Sequence, residues 1–164
     1  MPNTTNLAYT APINPPSAPS TLTRPQIWAG LQRKIRHAEE FVTAISTCTV
    51  LSDTSDLLNG TVEREVQFAP QAGGAKARET VVSVNGLKVD FHQADGGLVS
   101  NIISDSGEEG DRGLYMTYTF QFVSKEEQGT EGWEKERKRM LGMARGAVEG
   151  SIDTIRRLVK EGKL

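Results

Sequence analysis

One stretch of the chain decides its fold, and it is the last: residues 133–164 read WEKERKRMLGMARGAVEGSIDTIRRLVKEGKL. At 100° per residue, its apolar side chains recur along one stripe of a helix, and most of its charged side chains lie on the far side. The stripe consists of Trp133, Met140, Ala144, Ala147, Val148, Ser151, Ile155 and Leu158. We therefore expect one long C-terminal helix that buries one face and exposes the other.

Two features of this helix depart from the simple amphipathic pattern. Arg137 lies within the apolar stripe near the helix start, where a long side chain can extend out of the buried face as a ligand contact. Gly142, Gly146 and Gly150 recur on the opposite side, although each glycine costs about 1 kcal/mol relative to alanine. The glycines are either tolerated there or allow another backbone to approach, as in a possible homodimer.

The chain before this helix predicts a strand, two short helices and an antiparallel meander. Residues 6–13 alternate as an edge strand that ends near Pro12. Thr23 and Gln26 form a capping-box pattern that starts a short helix, and a second follows over residues 38–45. From residue 46 the hydrophobic period is two. The predicted strands are residues 47–52, 61–68, 79–84, 87–93, 98–104 and 114–123.

The clearest turn is the Val-Asn-Gly-Leu sequence at residues 84–87, because Asn-Gly suits both positive-φ positions of a type I′ turn. This turn predicts that Val84 pairs with Leu87, which places Val82 on the apolar face. Glu79 and His92 then lie opposite each other on the solvent face.

The length, net charge and cysteine content of the chain restrict the class of protein to which it can belong. The chain has 164 residues, a net charge of −2 and a single cysteine, Cys48. We expect one domain spanning residues 1–164, because this length supports a core without disulfides or metals. The near-neutral charge argues against a nucleic-acid partner, and the absence of a long apolar run argues against a membrane span. Because residues 1–25 lack a signal-peptide pattern, we expect a cytoplasmic protein.

Together these elements predict an α+β domain in which a seven-stranded curved antiparallel sheet wraps around the long helix. If the two short helices close one end, the inner side chains need not fill the interior. An apolar cavity then remains between sheet and helix.

This arrangement resembles the helix-grip fold of the SRPBCC superfamily, which includes START domains, the birch-pollen-allergen family and bacterial polyketide aromatase/cyclases. It resembles the AtaL-like family more closely. The residues that carry the resemblance are WAGL at 28–31, FV at 41–42, REV at 64–66, VSNII at 99–103 and LYMTYTF at 114–120. The resemblance implies a cavity for a small hydrophobic or aromatic molecule and a cofactor-independent cyclase or isomerase of a polyketide-like intermediate.

Two polar residues on inward faces are the catalytic candidates. Arg64 alternates with Val62 and Val66, and a buried guanidinium requires an anionic or carbonyl partner. It either anchors a carboxylate, enolate or phenolate of a ligand, or it pairs internally or extends past the sheet edge. Tyr118 alternates with Met116 and is either a donor to a ligand carbonyl or a core tyrosine.

A further set of residues is predicted to line the cavity, although core packing explains most of them equally well. Asn101 can face either way, because both alternate faces of its strand are apolar. The predicted ligand-binding residues are Trp28, Val66, Phe91, Asn101, Met116, Trp133, Arg137, Met140 and Ala144.

The sequence offers little for other chemistry. His37, His92 and Cys48 are the only imidazoles and thiol and lie far apart, so we expect no metal site and no cofactor. No strong catalytic base is evident. This leaves a non-catalytic carrier or sensor as the alternative to a cyclase. A structural partner that uses the glycine face is a third hypothesis.

Overall fold

The computed structural model describes residues 3–164, which form one sheet, two helices and three single turns of 3₁₀-helix. The strands are β1 (Thr4–Pro12), β2 (Ile45–Asp53), β3 (Gly60–Phe68), β4 (Lys76–Val84), β5 (Lys88–Gln93), β6 (Leu98–Ser104) and β7 (Tyr115–Val123). The helices are α1 (Arg24–Arg36) and α2 (Glu131–Lys160).

The seven strands form one antiparallel sheet in the order β1-β7-β6-β5-β4-β3-β2. The chain runs from β2 to β7 as a meander, and β1 pairs with β7, so β1 is an edge strand as Pro12 predicts. Helix α2 lies nearest β1 and β7, while α1 lies nearest β2 and β6. The predicted α+β helix-grip fold is confirmed.

The two short helices differ in length. Helix α1 starts at the predicted capping box, in which Thr23 accepts a hydrogen bond from the Gln26 amide and the Gln26 side chain accepts one from the Thr23 amide. The second is a single 3₁₀ turn, Ala38–Glu40. The prediction that it continues to Ile45 is wrong, because Ile45 already belongs to β2.

The turn between β4 and β5 has the predicted backbone but a different register. Asn85 and Gly86 have φ values of 49° and 67°, and the Leu87 amide donates to the Val84 carbonyl at 2.9 Å. Val84 nevertheless aligns with Lys88, because Leu87 is an extra residue on the β5 side of the turn. The Leu87 carbonyl accepts a hydrogen bond from the Ile103 amide next to β5, in β6.

This one-residue offset reverses the predicted faces of β4. Glu79, Val81 and Ser83 point inward, and Glu79 aligns with Gln93 rather than with His92. The prediction of a solvent-exposed pair of Glu79 and His92 is therefore wrong, and so is the inward assignment of Val82.

Helix α2 buries its face only from Met140 onward. Arg137 is exposed because the first turns of α2 extend past the core, so its predicted place on a buried stripe is wrong. Gly142 and Gly146 are exposed on the outer side, and a Cβ at either would meet no atom within 4 Å. No helix within residues 3–164 is long and apolar enough to cross a membrane.

Gly30 lies at the contact between α1 and α2. A Cβ placed on Gly30 of α1 would lie 2.4 Å from Cγ1 of Ile155 on α2, and Ile155 has no exposed surface. Gly30 therefore permits the close approach of α1 and α2.

We expect Gly30→Ala to lower the free energy of unfolding by about 1–2 kcal/mol, since the added methyl overpacks a closed core. The matched control is Gly146→Ala, at an open helix position, which should raise it by up to about 1 kcal/mol. Urea unfolding of both variants measures the difference. Equal stability of the two would contradict the close packing.

Candidate functional site

A cluster of four buried polar side chains lies where four elements of the fold meet. Lys34 of α1 donates through Nζ to Asn101 Oδ1 of β6 at 3.0 Å and to Tyr118 Oη of β7 at 3.1 Å. It also lies 3.4 Å from Ser151 Oγ of α2. Their exposed fractions are 7% for Lys34, 0% for Asn101 and 1% for Tyr118 and Ser151. We call these four residues the Lys34 cluster.

Each member of the Lys34 cluster interrupts an otherwise apolar inward pattern. Lys34 follows Ile27 by seven residues and Leu31 by three, which places it on the buried stripe of α1. Asn101 faces inward with Val99 and Ile103, which settles the direction that the sequence left open.

The other two members lie on faces that the sequence analysis identified. Tyr118 sits between Met116 and Phe120 on the inward face of β7, and Ser151 lies on the predicted stripe of α2. The inward position of Tyr118 agrees with its predicted alternation.

Burial changes the acid–base chemistry of the cluster. The pKa of Lys34 is lowered to about 7, mainly by loss of hydration and further by the positive charge of Arg64, while Glu79 opposes the shift. Burial raises the pKa of Tyr118, and a hydrogen bond with Ser151 partly offsets this. Near neutral pH a large fraction of Lys34 is therefore an uncharged amine beside a phenol that keeps its proton.

Arg64 lies next to the cluster and is paired internally. Its Nε and Nη2 donate to Glu79 Oε2 at 2.8 and 2.6 Å. Its Nη1 donates to the backbone carbonyls of Lys34 and Ile35 at 3.0 and 2.8 Å. Its inward direction agrees with the predicted alternation of β3. The sequence left open whether Arg64 anchors a ligand or pairs internally, and its contacts are those of an internal ion pair. These contacts attach the last turn of α1 to the sheet.

Phe91 joins the two basic groups. Its ring centroid lies 4.9 Å from the Arg64 guanidinium carbon and 5.8 Å from Lys34 Nζ, and the Tyr118 centroid lies 4.4 Å from the same nitrogen. Two aromatic faces thus border the amine and favour its charged form. Phe91 is a predicted lining residue that lies near both basic groups.

One donor in the cluster has no partner. The Nδ2 of Asn101 is fully buried and makes no hydrogen bond within the described residues. A buried amide donor without a partner is costly, so it calls for an explanation, and a ligand contact is one. The indole Nε1 of Trp133 is likewise buried and unpaired.

An aromatic column leads away from the cluster along β7. The ring centroids of Tyr118 and Phe120 are 6.2 Å apart, and those of Phe120 and Phe122 are 5.5 Å apart. Phe120 and Met140 are buried, with 6% and 9% of their surface exposed. The column runs from the Lys34 cluster toward the end of β7.

The remaining predicted lining residues do not converge on one space. Met116 and Ala144 have no exposed surface and pack in the main core. Val66 belongs to a separate small apolar cluster with Ala38 and Ile45. Arg137 is exposed. Their roles in binding a ligand stay predictions.

Trp28 faces a groove on the other side of α1. Its Nε1 donates to the Leu57 carbonyl at 2.7 Å, in the loop between β2 and β3. The groove has a volume of about 670 Å³, and Leu57, Leu58 and Gly86 contribute to its wall. Trp28 therefore lies apart from the Lys34 cluster.

Metal chemistry finds no support in the described residues. Within residues 3–164, no three His, Cys, Asp or Glu side chains lie close enough to hold a metal ion. Cys48 is half-buried, and its thiol donates to the Ile35 carbonyl at 3.6 Å.

The sequence analysis missed Lys34 and the inward direction of Glu79. The signal for Lys34 was present, because it occupies the i+3 and i+7 positions of the apolar stripe of α1. Glu79 was missed because the register of the β4–β5 hairpin was offset by one residue.

The order of the strands and helices defines a protein with the helix-grip fold, and comparisons with known proteins narrow the class further. The AtaL model, described as acetylaranotin biosynthesis cluster protein L, matches residues 7–162. The protein of that name from Aspergillus terreus is 30% identical over 98% of this chain and 94% of its own length. The chain belongs to the AtaL family.

Solved structures share the fold at low identity. The Zhui aromatase/cyclase from a Streptomyces species has a TM-score of 0.62 at 10% identity, covering 96% of each chain. The AHSA1-like protein from Aeromonas hydrophila has a TM-score of 0.55 at 12% identity, covering 98% of this chain and 96% of that one. At these identities the two likenesses show the shared fold.

The Arg64–Glu79 pair can be tested by a double-mutant cycle. We expect Arg64→Met to lower the free energy of unfolding by about 3–5 kcal/mol, because it leaves a buried carboxylate without its partner. Arg64→Met combined with Glu79→Leu should lose less than the two single variants added together.

The matched control is the Glu65–Arg78 pair, which joins the same two strands on the outer face, with 74% of the Arg78 side chain exposed. Arg78→Met should cost less than about 1 kcal/mol. Additive losses for Arg64 and Glu79 in urea unfolding would contradict their coupling.

The lowered pKa of Lys34 predicts a pH dependence of stability. The unfolded chain, in which lysine titrates near 10.5, binds more protons than the folded chain between about pH 7 and pH 10.5. Stability attributable to Lys34 should therefore rise with pH in this window, by at most about 1.4 kcal/mol per unit.

The measurement is urea unfolding of the wild type and Lys34→Met between pH 6 and 10, where Met keeps the apolar stem without the charge. The variant should have its largest advantage at low pH, and the advantage should shrink as pH rises. A constant difference between the two proteins would show that Lys34 stays charged when folded.

Proposed function

We propose that this protein binds a small, largely hydrophobic, carbonyl-bearing intermediate of secondary metabolism at the Lys34 cluster and cyclises or isomerises it without a cofactor. The observation that carries the proposal is an amine with a pKa of about 7, buried between a phenol and an amide with a free N–H. Buried groups with such shifted pKa values concentrate at functional sites. A polyketide-like chain with alternating carbonyls is the substrate class that this chemistry suits.

The first chemical step assigned to the cluster is proton removal. The uncharged amine of Lys34 takes a proton from a carbon flanked by two carbonyls, which leaves an enolate. A base whose pKa lies near the working pH is efficient for such transfers. This supplies the base that the sequence analysis did not find.

Stabilising the enolate is the second role. Asn101 Nδ2 has a free N–H, and Tyr118 keeps its hydroxyl proton, so each donates a hydrogen bond to the developing oxyanion. The enolate carbon then attacks a second carbonyl held nearby, and the Lys34 ammonium returns its proton to the new alkoxide. Proximity within the closed site contributes the rest of the acceleration.

The sequence suggested that Arg64 anchors an enolate, and this proposal gives Arg64 a different role. Glu79 and two backbone carbonyls already occupy four of its N–H donors. It acts as a positioning residue that holds the last turn of α1 and, through its charge, keeps the Lys34 amine neutral.

The aromatic column of β7 is the proposed binding surface for the ligand's apolar body. In this proposal the ligand lies along Phe120 and Phe122 with its carbonyl at Tyr118. Entry occurs at the Phe122 end of this column, where that side chain is half-buried. The aromatic side chains of the column suit a flat or aromatic molecule.

A non-catalytic carrier or sensor is the second candidate function. The unpaired Asn101 Nδ2 supports it, because binding a ligand carbonyl requires a hydrogen-bond donor but no base. In a carrier, Asn101 Nδ2 would bind the ligand carbonyl and the ligand would leave unchanged.

The experiment that tests the proposal is deletion of the protein in its native host, with complementation by variants and comparison of metabolites by mass spectrometry. Deletion should accumulate an uncyclised or shunt product that the wild type removes. Lys34→Met should fail to restore the product, and Tyr118→Phe should lower it by about 10²-fold, the usual loss for one oxyanion donor.

The matched control is Lys135→Met, which removes an exposed lysine on α2 and should restore the product fully. Full rescue by Lys34→Met, or an unchanged metabolite profile on deletion, would overturn the catalytic role. A ligand that binds the purified protein and is recovered with unchanged mass would favour the carrier.

A further inference from the structure

The partners of Lys34 are unusual for a buried lysine because all three are uncharged. Its Nζ contacts an amide oxygen and two hydroxyls, those of Asn101, Tyr118 and Ser151. Within residues 3–164, no carboxylate forms an ion pair with it, and the Glu79 carboxylate pairs with Arg64 instead. A carboxylate would hold the amine as an ammonium ion, so its absence leaves the nitrogen lone pair available.

The surroundings of the amine match what a carbonyl carbon needs during attack by nitrogen. The Asn101 Nδ2 donor has no hydrogen-bond partner among residues 3–164 and lies in the same cluster, where it can polarise a carbonyl oxygen. The Tyr118 hydroxyl, 3.1 Å from Nζ, can give a proton to a departing oxygen and take one back. The Phe91 and Tyr118 rings border the amine and exclude water.

We propose, building on the proposed function, that Lys34 is a covalent site that condenses with a ketone of a 1,3-dicarbonyl ligand. Nζ adds to the carbonyl carbon to form a carbinolamine. The carbon–oxygen bond then breaks, the oxygen leaves as water with a proton from Tyr118, and an iminium ion remains. Loss of a proton from the central carbon gives a vinylogous amide, and the net change is amine plus diketone to adduct plus one water.

The covalent form extends the reach of the site. An enamine carbon attached to Lys34 is a nucleophile that can attack a second carbonyl of the same chain, and water then hydrolyses the link. This deepens the proposed function by naming 1,3-dicarbonyl compounds as its substrate class and Nζ as the bonding atom.

The test uses pentane-2,4-dione as the probe with the full-length purified protein at pH 7. We expect one adduct per chain, seen as a mass gain of one diketone less one water and as near-ultraviolet absorbance. Peptide mapping should place it on Lys34. At this pH an exposed lysine is neutral in about one molecule in a thousand or fewer, whereas a large fraction of Lys34 is neutral. We therefore expect Lys34 to be labelled roughly tenfold or more faster than the exposed Lys135.

Three variants make the outcome specific. Lys34→Met should abolish the fast adduct, Tyr118→Phe should slow it, and Lys135→Met should leave it unchanged. The labelling rate of the wild type should rise with pH up to about 7 and then level off, since the reactive form is the neutral amine. The map and pH profile of the wild type do not depend on whether any variant folds.

Each result decides the matter. Labelling spread evenly over exposed lysines, or no labelling at Lys34, overturns the covalent role. If Lys34 stays unlabelled while Lys34→Met still fails to restore the host metabolite, Lys34 is only a base and the proposed function stands. If Lys34 is labelled while Lys34→Met restores the metabolite, the covalent site stands and the proposed function falls.

Discussion

The guanidinium of Arg64 holds the end of α1 against the sheet, and the position of the buried amine depends on this contact. The last carbonyls of a helix lack partners within the helix, and those of Lys34 and Ile35 are satisfied by Arg64 Nη1. A positive charge at a helix C-terminus is also favoured by the helix dipole. Glu79 on β4 then neutralises the arginine that β3 contributes. The pairing of β3 with β4, the position of the end of α1 and the position of the Lys34 amine therefore depend on one another.

This arrangement places two basic groups, Lys34 and Arg64, near the Glu79 carboxylate, which pairs with Arg64. Burying one ion pair is tolerable because each charge is compensated, but a second buried cation without its own carboxylate is strongly unfavourable. The pKa of Lys34 is therefore lowered, mainly by the loss of hydration on burial and further by the positive charge of Arg64. Glu79, which forms its ion pair with Arg64, only partly opposes this shift.

Most of the fold could be predicted from the sequence because it depends on periodicity. The stripe of α2, the capping box at Thr23 and the alternation around Tyr118 are local signals that tertiary packing did not override. The register of the β4–β5 hairpin could not be predicted, since an Asn-Gly turn specifies its backbone but not the extra residue Leu87 that follows it. That single residue decides whether Glu79 faces solvent or Arg64.

The site was harder to predict than the fold because its chemistry arises only when distant segments meet. Lys34 on an apolar stripe has the pattern of a side chain that extends to solvent, and only the closure of β6, β7 and α2 over it removes the water. Gly30 contributes to this closure, since it allows Ile155 to approach α1 one turn from the amine. Because all four members of the cluster stand on helices or strands, their relative positions vary little, which is what a reacting carbonyl requires. A polar cluster on loops would bind the same groups without holding the amine and the phenol in one orientation.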